Sequence, residues 1–102
     1  MAQKYKVLLY YKYIKLTNPE NIKIKQRKLC EKLNLKGRII ISQEGINGTV
    51  AGLTRSIDSY IAETEKNPAF SDIVWKISSS YYQVFPKLKV VVRDEIVTLG
   101  LS

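Results

Sequence analysis

The feature that most constrains this chain is a β-branched run that leads directly into a glycine-rich turn sequence. Residues 39–41 are three consecutive isoleucines, which favour an extended strand. Residues 44–49, Glu-Gly-Ile-Asn-Gly-Thr, contain two glycines and an asparagine, the residue types that most readily adopt positive φ. The sequence therefore predicts a β-hairpin with strands over 38–43 and 48–52, and a chain built around this hairpin must form a sheet.

Two helices and three further strands are predicted around this hairpin. Residues 5–13 alternate between two faces and predict the first strand. One helix begins at Pro19, with Asn18 as its cap, and ends near 34–37. A second helix begins at Thr54 and ends before Asn67-Pro68, because the residue before a proline disfavours the helical conformation. The remaining strands are predicted over 73–77 and 88–93.

This order of elements predicts an α+β fold. The predicted elements follow the order β-α-β-β-α-β, with one extra strand. This is the order of the ferredoxin-like split βαβ sandwich. In that fold an antiparallel sheet carries two helices on one face and leaves its other face open. With 102 residues, 45% of them hydrophobic, the chain is long enough to bury a core of its own. We assign residues 1–93 to this single domain.

The charge of the chain is positive and unevenly distributed. Lys and Arg number 17 against nine Asp and Glu, a net charge of +8. Residues 1–38 hold eleven basic side chains and two acidic ones (11 − 2 = +9), whereas residues 39–102 hold six basic and seven acidic (6 − 7 = −1). A localised basic surface favours polyanions, of which nucleic acid is the commonest. The alternative is a lysine-rich helix face that only meets solvent.

Residues that commonly carry catalysis are scarce. The chain has no histidine, which excludes the commonest general base and the commonest metal ligand, and we predict no metal and no cofactor in this domain. Cys30, the single cysteine, lies near Arg27 and Lys28, which would favour a reactive thiolate, but also beside Leu29 on the apolar stripe, which favours core packing. We prefer core packing. The lone cysteine and the absence of a long apolar run predict a cytoplasmic protein that does not contact a membrane.

Two further patterns have alternative interpretations. Alternation on two strands could place aromatic and basic side chains, Tyr10, Lys12, Lys87, Lys89 and Arg93, on one open sheet face that binds single-stranded RNA. The same face could instead serve dimerisation or docking. Residues 44–49 are explained by turn chemistry, or by an anion-binding concavity of backbone N–H groups with Asn47 as a side-chain donor.

Three stretches of the sequence closely resemble the N-terminal domain of the rhodanese-domain tRNA uridine(34) hydroxylases. They are residues 35–52 (LKGRIIISQEGINGTVAG), 85–93 (FPKLKVVVR) and 95–100 (EIVTLG). The resemblance implies an acylphosphatase-like domain that precedes a rhodanese domain carrying the catalytic cysteine. It also implies an enzyme that uses molecular oxygen as co-substrate to convert the wobble uridine of tRNA to 5-hydroxyuridine. Residues 94–102 would then begin the connection to a rhodanese domain absent from this chain, which we expect to be truncated and inactive alone.

The resemblance gives each part of the domain an expected role. Cys30 does not lie in a rhodanese-type loop, so we assign no catalytic residue to this chain. The expected partners are the anticodon region of tRNA and the C-terminal rhodanese domain of the same polypeptide. The predicted phosphate contacts are Lys12, Lys23, Lys25, Arg27, Lys28, Lys32, Lys36, Arg38, Lys87, Lys89 and Arg93. The hairpin residues that identify the family are Glu44, Gly45, Asn47, Gly48 and Thr49.

Two other functions are alternatives for this domain. The domain could be a scaffold whose hairpin and final strands dock on the rhodanese domain without touching RNA. It could also hydrolyse acyl phosphates, but true acylphosphatases hold the phosphate with an arginine in the loop after the first strand. The corresponding segment here, residues 13–18, contains Lys15 and no arginine. We therefore reject acyl phosphate hydrolysis as the main activity.

Overall fold

The structure of the chain, a computed structural model, describes residues 4–96 and confirms the predicted α+β fold. A single turn of 3-10 helix, Pro68–Phe70, separates the second helix from the fourth strand. The elements in chain order are β1 (Tyr5–Tyr13), α1 (Pro19–Lys32), β2 (Lys36–Ser42), β3 (Gly45–Leu53), α2 (Thr54–Glu65), β4 (Lys76–Ser80) and β5 (Leu88–Val92).

Both helices begin and end near the positions that the sequence predicts. The Asn18 side chain accepts a hydrogen bond from the backbone N–H of Asn21 (3.3 Å), and Pro19 occupies the first turn, where its missing N–H costs nothing. The second helix ends before Asn67, whose side chain accepts from the backbone N–H of Ala69 (3.0 Å) and so starts the 3-10 turn. Local capping chemistry thus determines where α1 begins and where α2 ends.

The five strands lie in the order β4-β1-β3-β2-β5, and the sheet is mixed rather than purely antiparallel. Three neighbouring pairs are antiparallel, but β2 and β5 are parallel. The prediction of an antiparallel sheet is therefore wrong for the added strand. The reason is geometric: β4 ends opposite Tyr5, at the end of the sheet where β2 begins, so β5 starts at that end and runs alongside β2. Residues 81–87 make the crossing, and Gln83 donates a side-chain hydrogen bond to the carbonyl of Ala51 (2.9 Å) on the way.

The core lies between the sheet and the two helices. Every second residue of the central strands points into it, because side chains alternate along a strand. The buried apolar residues include Leu8, Ile39, Ile41, Ile46, Val50, Val90, Cys30, Ile57 and Phe70. A chain of hydrogen bonds also crosses this core: Tyr10 bonds Tyr60, Tyr60 donates to Gln26 (2.6 Å), and Gln26 donates to Thr64 (3.3 Å). No buried side-chain polar atom of the described residues lacks a hydrogen-bond partner. The hydrogen bonds within the core therefore replace those that these groups would make with water.

Two predicted boundaries differ from the structure. The hairpin turn comprises only Gln43 and Glu44, and residues 45–47, predicted as turn, belong to β3. The fourth strand is Lys76–Ser80 rather than 73–77, since Ile73 and Trp75 pack against the core as irregular backbone and the Trp75 indole donates to Glu65 (2.9 Å). The predicted connection over 94–102 lies beyond the described residues from 97 onward.

Candidate nucleic-acid interface

The sheet face that the helices leave uncovered presents cross-strand rows of side chains. One row crosses all five strands in register and consists of Lys76 on β4, Leu9 on β1, Thr49 on β3, Arg38 on β2 and Lys89 on β5. Adjacent strands are separated by about 4.8 Å, so the five positions span roughly 19 Å. Leu9, Arg38, Lys89 and Lys76 are exposed and Thr49 is half-buried. Four of the five positions in this row are therefore exposed to solvent.

Basic side chains from three elements meet at the β2–β5 side of the molecule. Arg27 of α1, Lys36 at the start of β2 and Lys87 just before β5 line a groove of about 470 Å³. Arg38 and Lys89 lie directly beside one another in the parallel β2–β5 register. We call these five residues the basic edge. The carboxylate that also lines the groove is Glu31.

The cations of the basic edge are available to a ligand. Four ion pairs occur among residues 4–96, and none of them involves Arg27, Lys36, Arg38, Lys87 or Lys89. Glu31 is the one carboxylate that lines the groove, so the five cations keep a net positive charge and gain from a polyanion that bridges them. The structure thus joins residues 27–38 and 87–89, which the sequence places far apart.

The other predicted phosphate contacts do not belong to this cluster. Lys25 lines a different groove, together with Lys66, near the ends of α1 and α2. Lys32 lies near Glu63, whose pKa is lowered mainly by the hydrogen bond from Lys66 and only slightly by the charge of Lys32. Lys28 is exposed on α1, and Lys23 is 3.9 Å from Glu20. Arg93 follows β5 at the opposite end from Lys87, about 20 Å away at the usual rise per residue.

Lys12 is already engaged within the protein. Its ammonium donates to the Asp72 carboxylate at 2.9 Å, and this hydrogen bond lowers the pKa of Asp72. The ion pair joins β1 to the turn that precedes β4. Lys12 therefore has a structural contact that the sequence pattern did not indicate.

The prediction that Tyr10 and Lys12 share the open face with Lys89 is wrong. Tyr10 is 2% exposed and points into the core, because Gly48 opposite it on β3 leaves room for its ring. Consequently Tyr11 and Tyr13 occupy the open face, where they are 61% and 56% exposed. Sequence alternation separated the two sets of β1 residues, but both sets are apolar enough to face the core, so it could not identify the inner one.

The glycine-rich hairpin residues have packing roles. Gly45 has φ +144°, and a Cβ at this position would lie 1.9 Å from the Lys12 carbonyl oxygen. A Cβ on Gly48 would lie 2.5 Å from the Tyr10 ring. Residues 45–49 form backbone pairs with both β1 and β2, so their N–H groups are directed into the sheet rather than into an anion-binding concavity. Glu44 is exposed in the turn, and its N–H donates to the Ser42 hydroxyl (2.8 Å).

Asn47 of the same hairpin anchors the chain beyond β5. Its side-chain amide donates to the backbone carbonyl of Ile96 (3.1 Å), and Ile96 is fully buried. Asn47 lies on the face opposite the helices, in register with Tyr11 and Ile40. The segment after β5 is therefore held against part of the open face.

The predicted core position of Cys30 is confirmed. The thiol is fully buried, and burial, with a smaller contribution from the Glu31 charge, raises its pKa from 9.0 to about 12. A thiol in this state is protonated at neutral pH and unsuited to nucleophilic attack.

Among residues 4–96 no three His, Cys, Asp or Glu side chains gather as metal ligands would. In the same residues, no helix has the length and apolarity required to cross a membrane.

Comparisons of sequence place this domain among known relatives. Residues 5–96 match the family model described as the UPF0176 acylphosphatase-like domain. A protein of Bacillus licheniformis named tRNA uridine(34) hydroxylase is 48% identical over 102 residues, which is all of this chain and 32% of that protein. One of the same name from Corynebacterium efficiens is 48% identical over 95 residues, 93% of this chain and 30% of the relative. The chain thus spans about a third of the length of these curated relatives.

Comparisons of structure confirm the fold alone, since the sequence identities are low. A structure titled "BlrB - a BLUF protein, dark state structure" superposes with a TM-score of 0.72 at 15% identity and covers 91% of this chain and 76% of its own. An acylphosphatase from Coxiella burnetii superposes with a TM-score of 0.58 at 12% identity and covers 86% of this chain and 93% of its own.

Proposed function

The chain belongs to the UPF0176 acylphosphatase-like domain family, and from this membership we propose that it is the tRNA-positioning domain of a tRNA uridine(34) hydroxylase. The longer protein would hydroxylate the wobble uridine at C5 with molecular oxygen as co-substrate, in the cytoplasm. We assign that chemistry to a C-terminal rhodanese domain with a catalytic cysteine. The domain described here would hold the anticodon region.

The observation that carries this proposal is the basic edge. Arg38 and Lys89 lie side by side. The adjoining groove is lined by Arg27, Lys36 and Lys87. None of these five residues forms an ion pair with a carboxylate of residues 4–96. Phosphate groups of a nucleic-acid backbone are the ligands that such a cluster favours, and their binding releases counterions. The other predicted contacts, on α1 and at Arg93, would form an outer ring of weaker attraction.

The proposal is tested by titrating the chain with an anticodon stem-loop RNA and following backbone amide shifts at several salt concentrations. We expect saturable shifts centred on residues 36–38 and 87–89. Arg38→Ala and Lys89→Ala should weaken binding and lower the salt slope by roughly 0.7 to 0.9 per lost phosphate contact.

The matched control is Arg55→Ala. Arg55 is also exposed and has no ion pair among residues 4–96, but it lies at the start of α2, outside the basic edge. Its substitution removes the same charge and should change affinity much less. Equal losses in the Arg38 and Arg55 variants, or the absence of any salt-sensitive shift, would show that the basic edge does not bind RNA.

A second candidate function, a scaffold that docks on the rhodanese domain, is favoured by the contact between Asn47 and Ile96. This contact directs the chain after β5 across the open face, where another domain of the polypeptide could continue. If docking is the function, exposed open-face residues such as Leu9 and Arg38 should become protected in the longer protein relative to this chain. Unchanged shifts and exchange rates on that face would argue against docking.

A further inference from the structure

A second surface lies along the β1–β4 edge of the sheet, across the sheet from the basic edge, and we call it the tyrosine groove. Its volume is about 380 Å³. Its lining combines apolar, aromatic and charged residues, namely Leu9, Tyr10, Tyr11, Lys12, Asp72, Val74 and Lys76. The Lys12–Asp72 ion pair has a structural role, but neither the proposed function nor the fold explains why these apolar, aromatic and charged residues lie together.

The groove exists because β4 is shorter than its neighbour. β4 pairs with β1 only from Tyr5 to Leu9, and the residues that precede Lys76 do not pair with β1. Residues 10–13 of β1 therefore have no strand beside them on that side in the described structure. The side chains at this edge are left open to solvent, with Val74 76% exposed and Leu9 47% exposed.

The exposed ring of the groove, Tyr11, has a second tyrosine beside it that does not line the groove. Tyr11 and Tyr13 lie on the same face of β1, with ring centroids 5.9 Å apart and planes inclined at 78°. In such a T-shaped pair the edge of one ring meets one face of the other, so further ring faces stay accessible. Two exposed tyrosines held in a fixed arrangement provide a stacking surface at a small cost in side-chain entropy.

The charges around the groove complement a nucleotide. Lys76 is exposed and has no ion pair among residues 4–96, so it can contact a phosphate. The Lys12–Asp72 pair offers one donor and one acceptor for the polar edge of a base. An aromatic face, a free cation and a polar pair are the elements with which proteins bind an unpaired nucleotide.

The tyrosine groove and the basic edge are joined by one row of the sheet. Lys76 at the groove and Arg38 and Lys89 at the basic edge occupy the same row, with Leu9 and Thr49 between them. A single RNA strand crossing this row would meet positive charge at both ends of a span of roughly 19 Å. An A-form duplex, with its bases stacked inside, could contact the cations but could not insert a base beside Tyr11.

We propose that the tyrosine groove binds an unpaired nucleobase, stacked on Tyr11, from the RNA strand whose phosphates contact the basic edge. This inference rests on the proposed function and extends it, since it defines a separate base-binding subsite and a requirement for single-stranded RNA. Lys76 contacts the adjoining phosphate, and Lys12 and Asp72 contact the edge of the base.

The test measures binding of the complete chain to a fluorescently labelled oligouridine and to an RNA duplex of the same length. Tyr11→Ala should weaken binding of the oligouridine roughly 5- to 150-fold, the range expected for loss of one stacked base, and leave duplex binding unchanged. Tyr11→Phe, which keeps the ring and loses only the hydroxyl, should bind like the wild-type chain. Lys76→Ala should lower the salt slope for the oligouridine by about 0.7.

Two controls separate stacking from folding. Tyr82→Ala removes a tyrosine of similar exposure (67%) that does not line the groove, and it should leave both affinities unchanged. Unfolding by urea should show that Tyr11→Ala retains the stability of Tyr82→Ala, because both rings are mostly solvated.

The possible outcomes distinguish this inference from the proposed function. If the basic-edge variants weaken RNA binding but Tyr11→Ala does not, the groove is not a base site and only the inference fails. If the wild-type chain binds neither RNA, the proposed function fails and the inference fails with it. If Tyr11→Ala instead abolishes self-association in sedimentation experiments and leaves RNA affinity intact, the groove is a contact between copies of the chain and the proposal is overturned.

Discussion

Asn47 illustrates how a single side chain in a turn-like sequence acquires a structural role. Asparagine beside glycine suggests a tight turn, yet Asn47 lies within β3 and uses its amide to hold the carbonyl of Ile96. One donor thus ties the centre of the sheet to the chain that follows the last strand. The residues on either side, Ile46 and Gly48, serve the opposite face, where Ile46 is buried in the core.

Substitution Asn47→Ala should release the segment around Ile96. We expect a loss of about 0.5–1.5 kcal/mol in the free energy of unfolding, because one partly buried hydrogen bond is removed and the carbonyl loses its partner. Amide shifts of residues 94–96 should move toward those of an unstructured chain. Asn21→Ala, on the exposed surface of α1, is the matched control and should cause neither change. Equal behaviour of the two variants would contradict the anchoring role.

At the level of the elements, β3 is the strand on which the fold depends. It lies at the centre of the sheet, between β1 and β2, and carries three glycines that allow neighbouring groups to approach closely. Gly45 admits the Lys12 carbonyl and Gly48 admits the Tyr10 ring. Strand pairing supplies the framework, and the missing side chains of β3 allow Tyr10 to reach Tyr60.

The two glycines should differ in their tolerance of alanine. Gly48→Ala forces the Tyr10 ring to move and should cost about 1–3 kcal/mol, the usual range for an overpacked core. Gly45→Ala should cost more, because the new Cβ meets backbone atoms that cannot rotate away and φ is +144°. Urea unfolding measures both. A Gly45→Ala variant that is as stable as Gly48→Ala would show that the close approach of β1 and β3 relaxes easily.

For the molecule as a whole, the helices and the sheet enclose a core that is apolar except for one hydrogen-bonded chain of side chains. Burial raises the pKa of Tyr10 and of Tyr60 well above the usual value, and raises that of Cys30 to about 12. These groups must stay protonated while the core is closed. The charged residues face outward, on the open face of the sheet and on the solvent side of the helices, and none of those described is buried in the core.

Stability should therefore fall at alkaline pH. The unfolded thiol loses its proton near pH 9.0, whereas the folded one retains it to about 12, so between these values the unfolded state binds fewer protons and is favoured as pH rises. The free energy of unfolding should be flat below about pH 9 and then decline, at most by about 1.4 kcal/mol per pH unit for one group. In Cys30→Ala the decline should begin later, where the unfolded tyrosines titrate. An identical onset in both proteins would assign the alkaline loss to other groups.

Much of this architecture follows from local sequence. The alternation in β1, the Asn18-Pro19 cap and the Asn67-Pro68 break depend on neighbouring residues, and so the order of the elements and the ends of the helices were predictable. The excess of positive charge in residues 1–38 was equally visible. Turn chemistry misled at residues 45–47, which lie in β3, where Gly45 serves the close approach of the Lys12 carbonyl rather than chain reversal.

Three properties were decided by tertiary structure. The inner face of β1 was ambiguous because both of its faces are apolar, and it is fixed by the space that Gly48 leaves for Tyr10. The parallel pairing of β5 follows from the end of the sheet at which β4 finishes. The basic edge arises because that pairing brings Lys89 beside Arg38. Sequence alone determined the elements and the total charge, since these depend on near neighbours, whereas faces, strand order and charge clusters depend on contacts between residues far apart in the chain.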